Sequence, residues 1–149
     1  MTSTLHQRYR ILHVEDNDLD AEAVLRGLRK LGFQGRIDRA CDGHHGLAIL
    51  RSDPEGDIGG GVRVVLLDLN MPRMNGHEFL AALRQDTRLQ SVPVIVLTTS
   101  DALADVREAQ RLHANGYIVK PPAGSQMLEA LNAICSFIKV CTFAPQHAC

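Results

Sequence analysis

The sequence predicts an α/β protein in which a parallel β-sheet is covered by helices on both faces. Short apolar segments rich in β-branched residues alternate with amphipathic segments five times, with connections of a few residues. Such alternation favours parallel strands, because each helix carries the chain back to the edge where the next strand begins. The segment from Val62 to Leu67, VRVVLL, is almost continuously apolar, as a strand buried on both faces requires.

Composition and charge limit the class of protein further. The chain has 149 residues, 45% of them hydrophobic, which suits one domain with a substantial core. A net charge of −1 gives no reason to expect a nucleic-acid or anionic-membrane partner. We expect a cytoplasmic protein, because the N-terminal residues contain no apolar signal segment and no apolar run is long enough to span a membrane. The cysteines form no C-x-x-C pair and are expected to be reduced thiols: Cys41, Cys135, Cys141 and Cys149.

The expected strands and helices follow from local patterns. We expect strands at residues 10–14, 35–40, 62–67, 92–97 and 117–119. We expect helices at residues 19–31, 43–51, 77–84, about 101–113 and 124–140. Asn17 or Asp18 should cap the first helix, and Gly32 should end it. Ser100 or Asp101 should cap the fourth helix.

Polar side chains stand where four of these strands end. Glu15 and Asp16 follow the first strand, Asp68 the third, Thr98 the fourth and Lys120 the fifth. The carboxyl ends of parallel strands share one edge, so these groups should converge there. Three carboxylates repel one another unless a cation lies between them, and oxygen ligands favour Mg²⁺, with Mn²⁺ as a substitute. A metal, a hydroxyl and an ammonium beside a free carboxylate describe a phosphoryl-transfer site with Asp68 as nucleophile.

Four segments at these strand ends carry a resemblance to a known family. ILHVEDN, VVLLDLNMPRMNG, VIVLTTS and YIVKP resemble the response-regulator receiver domain of two-component signalling. The resemblance implies a single flavodoxin-like (βα)5 domain at residues 10–140, with strand order 2-1-3-4-5. An extension at residues 1–9 and a tail at 141–149 flank it, and no output domain follows, so the chain resembles a single-domain regulator. The Gly-rich insertion at residues 52–61 is longer than in minimal receivers, and we assign it no chemistry.

The resemblance also implies roles for individual residues. Asp68 resembles the phosphoacceptor, and Thr98 and Lys120 resemble the switch hydroxyl and the phosphate-pairing lysine. The implied metal-binding groups are the carboxylates of Glu15, Asp16 and Asp68 and the backbone carbonyl of Asn70, with Asp16 as a direct ligand and Glu15 acting through a water molecule.

Further implied roles concern the loops around the acceptor. Tyr117 occupies the position of the family's switch aromatic and acts with Thr98. Asn70 and Ser100 flank the phosphoryl group and should tune its lifetime. Pro121 should follow a cis peptide bond from Lys120, a geometry that is essentially specific to proline.

The implied function is that of a phosphoacceptor and not of a true enzyme. A sensor histidine kinase would phosphorylate Asp68 in a Mg²⁺-dependent reaction, and slow autodephosphorylation would remove the mark. DLNMP, VLTTSD and the apolar tail look most like regulators that serve bacterial phytochrome histidine kinases, which implies a bacteriophytochrome as partner. The fourth helix, fifth strand, last helix and tail, including Phe143, form an expected homodimer face, because exposed apolar residues favour cover.

Two other functions stay open at this point. Phosphatases of the haloacid-dehalogenase kind also use an Asp nucleophile, Mg²⁺, Thr and Lys, but they place an acid/base aspartate two residues after the nucleophile. Here that position is Asn70, which cannot protonate a leaving group. The second is a pseudo-receiver that only binds partners, and the intact acids, Thr98 and Lys120 argue against it.

Overall fold

The computed structural model describes residues 9–53, 62–122 and 124–140, and within them it has five strands and five helices. The strands are β1 (Tyr9–Val14), β2 (Ile37–Ala40), β3 (Val62–Leu67), β4 (Val94–Thr98) and β5 (Gly116–Val119). The helices are α1 (Asp18–Lys30), α2 (Gly43–Ser52), α3 (Gly76–Gln85), α4 (Leu103–Arg111) and α5 (Gly124–Val140). All paired strands are parallel, in the order β2-β1-β3-β4-β5, which confirms the predicted fold class and strand order.

The register of the sheet brings the strand ends to one edge. Leu67 at the end of β3 lies beside Val14 of β1 and Val96 of β4. The next backbone amide, that of Asp68, donates to the Val14 carbonyl at 3.0 Å. The polar residues that follow these strands therefore start from neighbouring positions.

Two hydrophobic layers hold the sheet, one on each face. Val14, Val65 and Leu67 pack with α2 and α3, whereas Val64 and Leu66 pack with α1 and α5 on the other face. From Val64 to Leu67 every side chain of β3 is buried, as the apolar pattern predicts, and the Arg63 side chain before them is buried as well. Each fully buried Val or Leu contributes about 1.5–3 kcal/mol. The strand that leads to Asp68 is thus anchored from both sides.

The observed helices and strands begin and end within two residues of the predicted positions. Asn17 caps α1 by accepting from the Asp20 amide at 3.0 Å, and Gly32 follows α1 with φ +86°, as expected. The predicted cap of α4 is wrong, because Ala102 occupies the N-cap position and makes no side-chain cap bond. β4 begins after Pro93, which has no amide proton to donate to the sheet.

Arg84 of α3 joins loops at the amino ends of β4 and β5, away from the site. Its guanidinium donates five hydrogen bonds of 2.7–3.3 Å to four backbone carbonyls and one side-chain amide. The acceptors belong to Leu112, Gln90, Val92, His113 and Asn115. Burial lowers the pKa of Arg84, and the five acceptors satisfy its donors.

Some predictions fall on other parts of the chain. Residues 1–8, 54–61 and 141–149 lie outside the described residues, and with them most of the expected extension, the Gly-rich insertion and the tail with its two cysteines. Cys41 and Cys135 are free thiols, the first exposed and the second buried. Among the described helices, none combines the length and apolar character needed to cross a membrane.

Candidate functional site

The acidic residues predicted to converge do so at the carboxyl edge of the sheet. Asp68 follows β3 and is 6% exposed, Glu15 follows β1 and is fully buried, and Asp16 is exposed. One carboxylate oxygen from each of the three lies within 4.8 Å of the others. The cluster has a buried floor, formed by two of the acids, and an open side at the third.

Lys120 reaches the same cluster from the end of β5. Its Nζ atom lies 2.5 Å from Glu15 Oε1, 3.2 Å from Asp20 Oδ2 and 4.0 Å from Asp68 Oδ1. The Lys120 side chain is only 6% exposed. The sequence did not single out Asp20, although its place one helical turn after Asp16 could have suggested it.

Burial and charge shift the protonation of this cluster. Burial raises the pKa of Glu15 to about 7. The hydrogen bond to Lys120 opposes this rise, and the negative charge of Asp68 adds to it. Burial also opposes the charged form of Lys120, but its carboxylate neighbours outweigh that effect and hold its pKa above the usual value. The lysine ammonium alone does not balance the charge of several carboxylates. The donor set therefore fits a hard divalent cation such as Mg²⁺.

Arg39 fixes the turn that carries the acidic pair. Its guanidinium donates two bonds, of 3.1 and 3.0 Å, to the backbone carbonyl of Glu15 and one of 2.6 Å to Asp18. Two hydrogen bonds that converge on the Glu15 carbonyl oxygen fix the orientation of the Glu15 peptide group. No local pattern predicted this role, because Arg39 lies on a short edge strand, β2, as one of two adjacent charged residues.

The loop between β4 and α4 carries the predicted hydroxyl. Thr98 is fully buried, and its Oγ1 accepts from the Ser100 amide at 3.4 Å. The Tyr117 hydroxyl donates to the Ser100 carbonyl at 2.8 Å, so the expected switch aromatic contacts this loop. Ser100 Oγ donates to Asp105 Oδ2 at 2.5 Å, and His77 Nε2 lies 3.0 Å from the other Asp105 oxygen. These contacts lower the pKa of Asp105, and the hydrogen bond from Ser100 has the largest effect.

The loop after Asp68 folds tightly against the strand end. Asn75 caps α3 by accepting from the Glu78 amide, and the Glu78 side chain accepts in return from the Asn75 amide. The Gly76 amide donates to the Leu69 carbonyl at 3.0 Å. A Cβ atom at Gly76 would lie 2.5 Å from the Asp68 carbonyl oxygen, so this close approach requires glycine.

One predicted geometry at the site is wrong. The peptide bond between Lys120 and Pro121 is trans, and not cis as the resemblance implied. The trans form of an X–Pro bond is intrinsically favoured by about 0.5–1 kcal/mol, and from it the lysine already reaches Glu15. Asn70, the expected carbonyl ligand, is exposed in the loop directly after the acceptor strand.

Comparison with known proteins shows the family of the chain. The model of the response regulator receiver domain matches residues 11–132, and the chain belongs to that family. FilR2 of Methanothrix harundinacea, a probable methanogenesis regulatory protein, is 44% identical over 114 residues, covering 74% of this chain and 71% of that protein. Response regulator Rcp1 of Synechocystis is 33% identical over 127 residues, which cover 85% of this chain and 86% of Rcp1.

Solved structures of response regulators have the same fold. The phosphorylated cyanobacterial phytochrome response regulator RcpA matches with a TM-score of 0.78 and 33% identity, covering 90% of this chain and 96% of RcpA. The Mn²⁺-bound form of Rcp1 matches with a TM-score of 0.78 and 32% identity, covering 91% of this chain and 98% of Rcp1. Members of the family are phosphoacceptors and not true enzymes, and sensor histidine kinases phosphorylate them.

Proposed function

We propose that this chain is a response regulator whose Asp68 accepts a phosphoryl group from a histidine kinase. A carboxylate oxygen of Asp68 attacks the phosphorus of a phosphohistidine. The new P–O bond forms as the P–N bond breaks, and the imidazole nitrogen keeps the electron pair. The observation that carries the proposal is the position of Asp68, within 4.8 Å of two other acids and 4.0 Å from the Lys120 ammonium.

The residues around Asp68 supply what this transfer requires. Glu15, Asp16, Asp68 and the carbonyl of Asn70 would hold Mg²⁺, and a crystal structure of Rcp1 is of its Mn²⁺-bound form. When bound, the ion neutralises negative charge that gathers on the phosphoryl oxygens. Lys120 adds a second positive charge and orients those oxygens.

The hydroxyl and aromatic groups of the β4–α4 loop would convert phosphorylation into a change of surface. The Thr98 hydroxyl donates to a phosphoryl oxygen, which draws the loop toward Asp68. Tyr117 is bonded to the carbonyl of Ser100 in that loop, so its ring responds when the loop moves. Asn70 and Ser100 flank the phosphoryl group and set how fast water removes it. The added charge of about −1.5 to −2 drives the rearrangement.

The proposed partner is a bacteriophytochrome histidine kinase, and the proposed responding surface is the α4–β5–α5 face. RcpA is by name a phytochrome response regulator, and 33% identity over most of both chains supports the same class of kinase here. Leu103 of α4 and Val119 of β5 are large apolar side chains that are 60% and 44% exposed. They support a homodimer through that face.

The proposal is tested by measuring phosphoryl transfer to Asp68. Purified protein is treated with acetyl phosphate and Mg²⁺, and the mass of the intact chain and its peptides is measured. We expect one phosphoryl group on Asp68, none in an Asp68→Asn variant and none after chelation of the metal. Labelled kinases, including a bacteriophytochrome in red and far-red light, then identify the donor. Label that persists in Asp68→Asn overturns the assignment. A wild-type protein that takes no label from any donor is a binding module, and steady hydrolysis of phosphate esters indicates a phosphatase.

A further inference from the structure

We propose that Asp20 is a positioning residue that competes with the phosphoryl group on Asp68 for Lys120. The inference rests on the proposed function. Lys120 Nζ is a hydrogen-bond donor to Asp20 Oδ2 at 3.2 Å, but it lies 4.0 Å from Asp68 Oδ1. Lys120, the proposed partner of the phosphoryl oxygens, is therefore bonded to Asp20 in this structure.

Asp20 differs from the other acids that contact Lys120. Glu15 and Asp68 belong to the cluster whose oxygens lie within 4.8 Å of one another, and Asp20 does not. The Asp20 side chain is 49% exposed, on the first turn of α1, whereas Glu15 is buried beneath the lysine. Asp20 thus holds Lys120 from the solvent side.

Local structure fixes Asp20 in this position. Its backbone amide donates to the side chain of Asn17, the N-cap of α1, at 3.0 Å. A capped first turn holds the Cα and Cβ atoms of Asp20 in place, so only rotation of its side chain separates it from Lys120. The pair also connects α1 to the end of β5 through two residues that are 100 positions apart in sequence.

Competition follows from the number of donors that an ammonium offers. Lys120 has three N–H groups, of which one is directed to Glu15 and one to Asp20. A phosphoryl group on Asp68 presents strong anionic acceptors close to the same nitrogen. To donate to them with more than its one remaining proton, Lys120 has to weaken or break its bond to Asp20. Removal of the Asp20 charge should therefore favour the phosphorylated state.

The experiment compares Asp20→Asn with wild type and with two further variants. Asp20→Asn keeps the shape and removes the charge, and Asp20→Glu restores a carboxylate. Glu22→Gln removes one charge from the same helix at an exposed side chain that is 3.9 Å from Arg26 and has no contact with Lys120. The rate of labelling by acetyl phosphate with Mg²⁺ and the half-life of the label are measured for each. Far-UV circular dichroism confirms that all four proteins are folded.

For Asp20→Asn we expect a roughly two- to fivefold rise in the product of labelling rate and half-life, the range that a half-exposed ion pair supports. Asp20→Glu should return close to wild type, and Glu22→Gln should stay there. The rise should disappear when Lys120→Gln is added, because the effect acts through that ammonium. Wild-type labelling with no rise in Asp20→Asn, or an equal rise in Glu22→Gln, overturns the inference and leaves the proposed function intact. No label on wild type removes both.

Discussion

Replacement of Gly76 by alanine tests how closely the loop must pack on the acceptor strand. A Cβ atom at this position would lie 2.5 Å from the Asp68 carbonyl oxygen and 2.7 Å from the Leu69 Cα atom. Carbon atoms normally pack at about 3.5–4.0 Å, so the new methyl group is too close by roughly 1 Å. Both neighbours are backbone atoms, and relief therefore requires the strand end or the start of α3 to move.

The expected cost follows from two opposing effects. Overpacking that displaces backbone costs about 1–3 kcal/mol. Alanine also restricts the unfolded chain, which returns about 0.4–1 kcal/mol. Gly76→Ala should therefore lower the free energy of unfolding by about 1–2 kcal/mol. Since the displaced oxygen belongs to Asp68, labelling by acetyl phosphate should also slow.

Gly124→Ala provides the matched control, because both glycines are the first residue of a helix. A Cβ atom at Gly124 meets nothing within 4 Å. This variant should be as stable as wild type or more stable, by up to about 1 kcal/mol. Urea denaturation followed by circular dichroism measures both. If Gly76→Ala unfolds at the same urea concentration as Gly124→Ala, the close contact at Asp68 does not constrain the protein.

Three further predictions address other parts of the chain. Arg84→Lys should lower the free energy of unfolding, measured by urea denaturation, by about 1–3 kcal/mol, because a lysine cannot donate to all five acceptors. A loss of stability no greater than that of Arg88→Ala, at an exposed arginine, would contradict this. Asp105 has a lowered pKa, so its stabilisation is complete above its unfolded pKa of about 3.9 and is lost as pH falls below that value. The difference in unfolding free energy between wild type and Asp105→Asn should thus shrink from pH 6 to pH 3, and a constant difference would refute this. Burial raises the pKa of Cys135, so iodoacetamide at pH 8 should modify the exposed Cys41 faster than Cys135, as peptide mass spectrometry would show. Equal rates at the two thiols would contradict the burial of Cys135.

The sheet and the acidic cluster could be predicted because their signals are local in sequence. The apolar run from Val62 to Leu67 marks the central strand, and the abrupt change at Asp68 marks its end. Parallel topology then places every strand end at one edge without further information. For this reason Asp68, its two acidic neighbours and Lys120 could be expected together although up to 105 residues separate them.

Side-chain pairing at the site could not be predicted in the same way. The bond between Asp20 and Lys120 depends on the angle of α1 over the sheet, which no local pattern reports. Ser100 was expected to cap α4, but its hydroxyl donates to Asp105, and Ala102 begins the helix instead. A serine before a helix is compatible with either partner, and the three-dimensional arrangement of the loop decides between them.

The hydrogen bond from Tyr117 to the β4–α4 loop couples an intrinsic chromophore to the position of that loop. The chain has no tryptophan and two tyrosines, and the other one, Tyr9, lies at the far end of β1. Absorbance and emission at wavelengths longer than those of phenylalanine therefore come from only two phenol rings, one of them bonded to the carbonyl of Ser100. Loss of that bond would change the Tyr117 spectrum, so movement of the loop could be followed in real time without an added dye.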